Sequence, residues 1–554
     1  MVTEGRLLRF FTPWIGGALI SLFLFRFMPS LVVAMNDDFG YLRSVVATLQ
    51  RGRPWTDDWL EPWAYSMSAV SAFLFRVSGS FYLSTSGLLA VLGGISTLLV
   101  SRLWTERRIP SAFSVLLAIF LTAFPTVLWK SVEYSALALY IPCLLGMLLS
   151  AERRKWLPAG LFWAVAVASR QSAIVWLAIP GAELIASLKR RQKGQSWLLA
   201  AMLGGCLVWF AALLLLSNRT HAQQVITSQL GSHIGIGSLR HASVGLVYLL
   251  VAIGLGCTVS TFFSPRPSLP PTSRWFGSLR WGFVAAVALA AIWPRLLSVE
   301  VEHSGYDGAL AGPGLRMLVL ISALGLAVFR GKFRAGYLAA AVASVCLFSV
   351  RDAIYDYYLI DAVILGLFSR CTADISEMGP DAAPQAIRSW IVAAAFTGIM
   401  LAVQIGASVR LKEFVDFRAA ACDLFERSLR AGEAKTTELA DAPFGFIAWY
   451  WYPYYIGHEG RRSPALDGFG MYLAPKQVSL LVNPTETELA RSGFTQIRSE
   501  IYPFGWGRSA RFVLVRRGEA GNASVPVDWQ EYRPESFPLG DAEWARLIEA
   551  PVRQ

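Results

Sequence analysis

Apolar runs of about twenty residues recur along most of the chain, and they constrain the fold more than any other feature. From about Phe10 to Val409 these runs are separated only by short polar stretches. A run of about 18 apolar residues is long enough to cross roughly 30 Å of hydrocarbon as a helix. No water-soluble fold buries a dozen or so such helices, so the sequence predicts a polytopic integral membrane protein.

The composition agrees with this prediction. Of the 554 residues, 55% are apolar and 16% are charged, whereas a soluble chain has about 25% charged residues. The net charge of +12 would favour nucleic acid as a partner of a soluble protein, but here Lys and Arg are concentrated in particular loops. The six cysteines are scattered without ligand spacing, which is typical of small buried hydrophobic residues.

Alternation of the basic loops predicts the topology. Every second loop is basic, and short basic loops stay in the cytoplasm. Arg6 and Arg9 precede the first run, and no small-residue cleavage site ends it, so we expect a retained first helix with a cytoplasmic start. We place thirteen spans, near 10–35, 81–101, 111–129, 134–151, 156–169, 172–188, 196–217, 242–263, 281–298, 314–329, 335–350, 354–369 and 389–409.

This topology predicts two parts, an all-α transmembrane domain over 1–409 and a small α/β domain over 410–554 on the outer side of the membrane. The first outer loop is long, and within it 37–51 and 63–77 are expected to form helices on the membrane surface. In the second part, strand-like runs include Val478 to Val482 and Ala510 to Val515.

Acidic residues in the outer loops are candidates for chemistry. Asp37 and Asp38 follow the first span, and adjacent carboxylates can bind a cation or act as a general base with a positioning partner. The alternative is a solvated pair at a helix start, where the helix dipole stabilises it. Glu133, in the next outer loop, is either a substrate contact or a surface partner of Lys130.

Basic and aromatic residues near the outer boundary form a second group. Arg170, beside Gln171, is placed either to bind a phosphate or to extend towards lipid head groups. Arg351 lies at similar depth, before an aromatic segment that contains Tyr357 and Tyr358. Asp361 should lie inside the bilayer, where an unpaired carboxylate is costly, so we expect it to face the protein interior.

Two further patterns are weaker indications. The four outer-loop histidines, including His303, lack the spacing of a metal site, so they predict no metal. The aromatic stretch 449–455 is consistent either with stacking on sugar rings or with a buried strand.

The order of these features resembles the GT-C superfamily of membrane glycosyltransferases, whose members include protein O-mannosyltransferases and the aminoarabinose transferase that modifies lipid A. The resemblance covers about residues 10–410. It rests on the acidic pair in MNDDFGYL, the surface helices that follow, the number of spans, and the late segment RDAIYDYYLIDAVILGLF. That segment departs from the family pattern, because Tyr357 replaces the usual Arg, and Asp361 or Ala362 replaces the usual Pro.

The resemblance implies a catalytic domain over 1–409 that uses a sugar carried on a polyprenyl phosphate. It implies Asp37 as the leading catalytic base, Asp38 as its partner, Glu133 as a secondary acidic contact, and Arg170 and Arg351 as ligands of the donor phosphate. Further substrate contacts are expected among Gln171, His303, Tyr357, Tyr358 and Asp361. No cofactor is implied, and a two-Asp site favours a metal-independent reaction.

The implied location is a bacterial inner membrane, with an envelope glycan, lipid or protein as the acceptor and no nucleic acid partner.

Two other classes of membrane protein share parts of this sequence pattern. A transporter or flippase of lipid-linked sugars would show repeats and broken helices near the midplane, which this sequence lacks. An O-antigen polymerase or ligase would centre on a large late outer loop, whereas the long charged loop here is the first.

Overall fold

The fold is that of a computed structural model. It describes residues 38–56, 65–80, 83–107, 114, 118, 134–216, 236–263, 284–285, 301–302, 320–326, 333–349, 354–355, 359–369, 424, 427–428, 431–433, 478–482, 486, 489, 494–503 and 509–517.

The two helices predicted in the first loop are present. Helix α1 spans Asp38–Arg51 and helix α2 spans Tyr65–Ser78. Each is followed by a glycine with positive φ, Gly52 at 66° and Gly79 at 65°, a conformation that commonly ends a helix and that glycine adopts without steric cost. The two helices pack against each other, and the Arg76 guanidinium of α2 donates to the Leu49 carbonyl of α1 at 3.4 Å.

Most of the described residues are helical. A π-helical turn, Leu83–Gly87, leads into α3, and a 3-10 helix, Gln171–Leu177, leads into α6. The helices of the bundle are α3 (Leu88–Glu106), α4 (Ala136–Glu152), α5 (Trp156–Val167), α6 (Ala178–Lys189), α7 (Lys193–Leu216), α8 (Ile236–Phe263), α9 (Ala335–Ser349) and α10 (Ile360–Leu367).

Within the described part of the chain, four helical segments are long and apolar enough to cross a membrane: Leu83–Glu106, Gln171–Lys189, Lys193–Leu215 and His241–Val259. Shorter apolar helices are α4, α5 and α9. These segments coincide with predicted spans. The predicted spans near 10–35 and 389–409 lie outside the described residues, as do most of 111–129 and 281–298, so the count of thirteen stays a prediction.

Helices α5 and α6 form a hairpin whose arms differ in length. The first arm, α5, has 12 residues and rises about 18 Å. The return arm, Gln171–Leu177 followed by α6, rises about 32 Å, because 3-10 and α-helical residues rise about 2.0 and 1.5 Å each. The Trp163 indole N–H donates to the Ala173 carbonyl at 2.8 Å and joins the two arms.

The basic loops on either side of this hairpin share one helix-ending motif. Arg154 and Arg191 have φ of 56° and 57°. In each loop the backbone amide of the following residue donates a hydrogen bond to a carbonyl in the last turn of the helix. Lys155 N–H donates to Ser150 O at 2.8 Å, and Gln192 N–H donates to Ser187 O at 2.9 Å. These are Schellman caps with arginine in the position that usually holds glycine.

The predicted span 354–369 begins later than its apolar pattern indicates. Strand β2 (Ile354–Tyr355) pairs in parallel with β1 (Val301–Glu302), and helix α10 begins only at Ile360. The physical reason is that β-branched and aromatic residues favour a strand, and the 301–302 segment supplies the backbone partner.

The C-terminal region contains a three-stranded antiparallel sheet. Strands β3 (Val478–Val482), β4 (Phe494–Pro503) and β5 (Ser509–Arg517) lie in the order β3-β5-β4. Strands β3 and β5 match the predicted strand-like runs, whereas β4 was not predicted. Val513 and Val515 are buried and pack against Leu489. The domain boundary at 410 and its outer location stay predictions.

Helix α8 lies at the centre of the bundle and α7 lies at its surface. Gly254 and Gly256 of α8 allow close backbone contact, because a Cβ at Gly254 would lie 2.5 Å from the Ser322 carbonyl and one at Gly256 would meet the Leu367 carbonyl. On α7, by contrast, Trp197 and Leu215 are 77% and 87% exposed. In a membrane protein such a face is expected to contact lipid.

Four helix ends meet at a buried ionic group, which we call the Glu152 cluster: Glu152, Arg107, Arg334, Tyr337 and Phe368. Glu152 pairs with Arg107 at 2.8 Å and with Arg334 at 2.7 Å, and its side chain is 6% exposed. The Tyr337 hydroxyl also donates to Glu152, at 3.1 Å. The predicted topology places the ends of α3, α4 and α10 and the start of α9 on one side of the membrane, and the structure brings these ends together.

Candidate functional site

Arg170 lies at the apex of the α5–α6 hairpin, inside the bundle. Its backbone is extended, with φ −156° and ψ 128°, and its amide donates to the Ala166 carbonyl at 2.8 Å. Only 4% of the residue is exposed. The guanidinium carbon is 5.2 Å from the Phe348 ring centre and 6.0 Å from that of Tyr140. This burial excludes the interpretation of an arginine that extends to lipid head groups.

Asp361 lies in the first turn of α10 and is fully buried, which confirms the prediction that it faces the protein interior. The Tyr140 hydroxyl donates to Asp361 Oδ1 at 2.7 Å. The same hydroxyl is 3.3 Å from Ser172 Oγ, the second residue after Arg170. Residues from α4, the hairpin apex and α10 therefore converge on one carboxyl group.

The Asp361 carboxyl group keeps an unused acceptor. Ser172 and Trp176 also face this group, but within ordinary hydrogen-bonding limits Asp361 Oδ2 has no partner among the described residues. Buried polar atoms are nearly always hydrogen bonded, so Oδ2 has one of these neighbouring donors, a water or a ligand as its partner. We call this group the Arg170 cluster: Arg170, Tyr140, Ser172, Trp176, Phe348 and Asp361.

Opposite charges can interact within the Arg170 cluster. Arg170 and Asp361 attract each other across the Tyr140 side chain. Ionisable residues inside a membrane bundle are costly, and by default they indicate a functional site. Gln171, next to Arg170, is half-buried and begins the 3-10 helix.

The first loop docks beside this cluster. The Ser66 amide, at the start of α2, donates to the Ala168 carbonyl at 3.1 Å, and the Ser66 hydroxyl reaches the Val165 carbonyl at 3.2 Å. Tyr134 and Ser71 form a further hydrogen bond between the start of α4 and α2. Helix α2 of the first loop is thereby hydrogen bonded to Val165 and Ala168, which precede Arg170 by five and two residues.

The structure also joins two segments that carry other predicted residues. Pairing of β1 with β2 aligns Glu302 with Tyr355, so 301–302, in the fifth predicted outer loop, lies beside 354–355, which directly follows the sixth. The individual side chains Asp37, Glu133, His303, Arg351, Tyr357 and Tyr358 lie outside the described residues, and of Asp38 only its place at the start of α1 is described. Their roles stay predictions.

Four members of the cluster were missed from the sequence: Tyr140, Ser172, Trp176 and Phe348. The first two show why. Tyr140 lies in an uninterrupted apolar helix, and Ser172 is an ordinary small polar residue at a span boundary. The available signal was position, since both lie at the same predicted depth as Arg170. Neither residue type is unusual there, because tyrosine is common at membrane interfaces.

The described residues contain no group of three His, Cys, Asp or Glu side chains able to hold a metal ion. Because the predicted acidic pair is not among the described side chains, the expectation of a metal-independent site stays a prediction.

Comparison with solved structures finds two matching chains. The crystal structure of ArnT from Cupriavidus metallidurans bound to undecaprenyl phosphate matches 94% of this chain and 100% of its own, with 14% identity and a TM-score of 0.38. At this identity and TM-score the match carries no argument about the fold, the site or the reaction. No protein-family model matches the sequence, and no curated protein matches it.

Proposed function

We propose that this protein is a GT-C-type integral membrane glycosyltransferase that moves a sugar from a polyprenyl-phosphate donor to an acceptor hydroxyl at the periplasmic face of a bacterial inner membrane. The acceptor is a glycan, lipid or protein of the envelope.

The Arg170 cluster is the observation that carries this proposal. A guanidinium with 4% exposure lies beside a buried carboxyl group with an open acceptor, and the first-loop helix α2 is hydrogen bonded to the same hairpin apex. At a buried site, paired guanidinium donors bind phosphate oxygens more strongly than in water. The Asp361 carboxyl group is suited to accept a hydrogen bond from a sugar hydroxyl.

The reaction uses groups of this chain alone. The Asp37 carboxylate takes the proton of the acceptor hydroxyl, and Asp38 orients or replaces it. The acceptor oxygen forms a bond to the anomeric carbon as the bond from that carbon to the phosphate oxygen breaks, which inverts the configuration. Polyprenyl phosphate leaves with the electron pair, and Arg170 and Arg351 stabilise its charge.

The other predicted site residues are proposed to contact the substrate around the acidic pair and the two arginines. Glu133 is a secondary acidic contact from the next outer loop. Gln171, His303, Tyr357 and Tyr358 are placed by the sequence to bind the sugar or the phosphate, and Asp361 and Tyr140 orient the Arg170 guanidinium.

Glycosyl transfer in reconstituted vesicles tests the proposal. Wild type is supplied with a panel of radiolabelled polyprenyl-phosphate sugars and an envelope extract as acceptor. Asp37→Asn is expected to lower transfer at least about a hundredfold, because a general base contributes about 10²–10⁴. Arg170→Gln is expected to abolish measurable transfer, whereas Arg153→Gln, which alters an exposed ion pair with Glu106, should leave it unchanged.

Two outcomes would contradict the proposal. Transfer that persists in the Asp37→Asn and Asp38→Asn double variant would show that the acidic pair is not the base. Label that crosses the bilayer without being transferred would identify a transporter or flippase of lipid-linked sugars.

A further inference from the structure

Three helices each contribute a residue to both buried clusters. Helix α4 carries Tyr140 near its start and Glu152 at its end, which are about 18 Å apart along the helix. Helix α9 places Tyr337 in the Glu152 cluster and Phe348 in the Arg170 cluster. Helix α10 is the third, with Asp361 at its start and Phe368 at its end. The two clusters therefore lie at opposite ends of the same three helices, α4, α9 and α10.

Helix α10 is short and is held at both ends. At its end, the Arg107 guanidinium donates to the Phe368 carbonyl at 2.5 Å, and the Arg334 amide donates to the Ser369 carbonyl at 2.7 Å. At its start, Asp361 accepts from Tyr140. An eight-residue helix moves as a unit, so a shift at Phe368 is transmitted to Asp361.

Glu152 binds both arginines, Arg107 and Arg334, that contact the end of α10. Its Oε1 accepts from Arg107 and Tyr337, and its Oε2 pairs with Arg334. The Arg107 and Glu152 side chains are 3% and 6% exposed, whereas Arg334 is 30% exposed. Loss of the Glu152 charge would leave the buried Arg107 guanidinium without this counter-charge, which is costly unless the helix ends separate and admit water.

We propose that Glu152 is a positioning residue for the Arg170 cluster, and that it acts through α4, α9 and α10 without touching the substrate. The inference concerns the geometry of the ligand-free protein, and it holds whether or not the chain transfers a sugar.

A fluorine probe at position 140 tests the coupling. Fluorotyrosine is incorporated in place of Tyr140 in the full chain, and its ¹⁹F resonance is recorded in lipid nanodiscs without ligand. Glu152→Gln is expected to move or broaden the resonance. Glu106→Gln is the matched control and should leave the resonance in place. Glu106 directly precedes Arg107 in the chain, but it pairs with Arg153, and both side chains of that pair are 38–40% exposed.

A milder variant covers the case in which Glu152→Gln does not fold. Tyr337→Phe removes one neutral donor to Glu152 and keeps both ion pairs, so it should move the resonance less and in the same direction. An unchanged resonance in Glu152→Gln would overturn the inference. If only Tyr337→Phe folds, an unchanged resonance in that variant would overturn it.

Binding of undecaprenyl phosphate, measured separately, distinguishes this inference from the proposed function. If the wild type binds this lipid, Glu152→Gln should weaken binding roughly five- to tenfold, within the usual range of coupling between sites, and undiminished affinity would overturn the inference. If the wild type binds no polyprenyl phosphate but the resonance moves, the positioning role stands and the glycosyltransferase assignment fails.

Discussion

At the scale of single residues, the Tyr140 hydroxyl connects the two charged members of the Arg170 cluster. It donates to Asp361 Oδ1 and its ring lies beside the Arg170 guanidinium. A buried carboxyl oxygen that loses its donor keeps the full cost of leaving water. The Tyr140 hydroxyl is therefore expected to contribute more to the free energy of unfolding than a hydroxyl that is bonded to a neutral group.

Tyr140→Phe should lower the free energy of unfolding by about 2 kcal/mol, because it leaves Asp361 Oδ1 without its donor. Tyr134→Phe is the matched control, since Tyr134 is equally buried but bonds the neutral Ser71 hydroxyl, and it should cost about 1 kcal/mol. Denaturation by SDS in mixed micelles, followed by circular dichroism, measures both. Equal losses would show that the carboxyl group does not depend on Tyr140.

At the scale of elements, close backbone contact defines how α8 packs. Gly254 and Gly256 each have a carbonyl of another segment where a Cβ would be. Small residues allow helices in a bilayer to approach until their backbones touch. In this protein the contact at Gly256 is with Leu367, next to the Phe368 carbonyl that Arg107 holds.

Gly254→Ala and Gly256→Ala should each lower the free energy of unfolding by about 1–3 kcal/mol, because neither backbone neighbour can move aside. Gly204→Ala on α7 is the control. No atom lies within 4 Å of its added Cβ, so the higher helix propensity of alanine should stabilise the protein by up to about 1 kcal/mol. The same SDS titration measures these variants, and a Gly256→Ala protein as stable as wild type would contradict the packing.

The elements show which features a sequence specifies locally. The surface helices α1 and α2 and the spans α3 to α9 were predictable, because apolar runs and glycine stops are local signals. The meeting of Arg170 with Asp361 was not, since it depends on how spans 190 residues apart pack. Glu152 was overlooked for a related reason: it is a lone acid beside Arg153, Arg154 and Lys155, and its partners Arg107 and Arg334 are remote in sequence.

At the scale of the whole molecule, the two buried clusters divide the bundle into two ends. The Glu152 cluster lies where helix ends adjoin basic loops. The Arg170 cluster lies where helix ends adjoin the first outer loop. Since basic loops remain in the cytoplasm, the Glu152 cluster is predicted to lie at the cytoplasmic side and the Arg170 cluster at the opposite side.

Cysteine labelling tests this orientation. Lys155→Cys and Gln192→Cys lie in exposed loops on either side of the hairpin, and Arg53→Cys is exposed in the first loop. A membrane-impermeant maleimide should label Arg53→Cys only in right-side-out vesicles and the other two only in inside-out vesicles, above the wild-type background. Labelling of Lys155→Cys and Gln192→Cys from different sides would contradict the hairpin.

The unequal arms of the α5–α6 hairpin have a consequence for the surrounding lipid. Both arms connect to basic loops that the predicted topology places on one side of the membrane, yet they rise by about 18 and 32 Å. A flat hydrocarbon layer of about 30 Å matches only the longer arm, so hydrophobic mismatch is expected to thin the membrane beside α5. Such a depression next to Arg170 would shorten the path by which a lipid-borne phosphate descends to the guanidinium. The thickness of the host membrane would thus help to set how readily the protein is loaded.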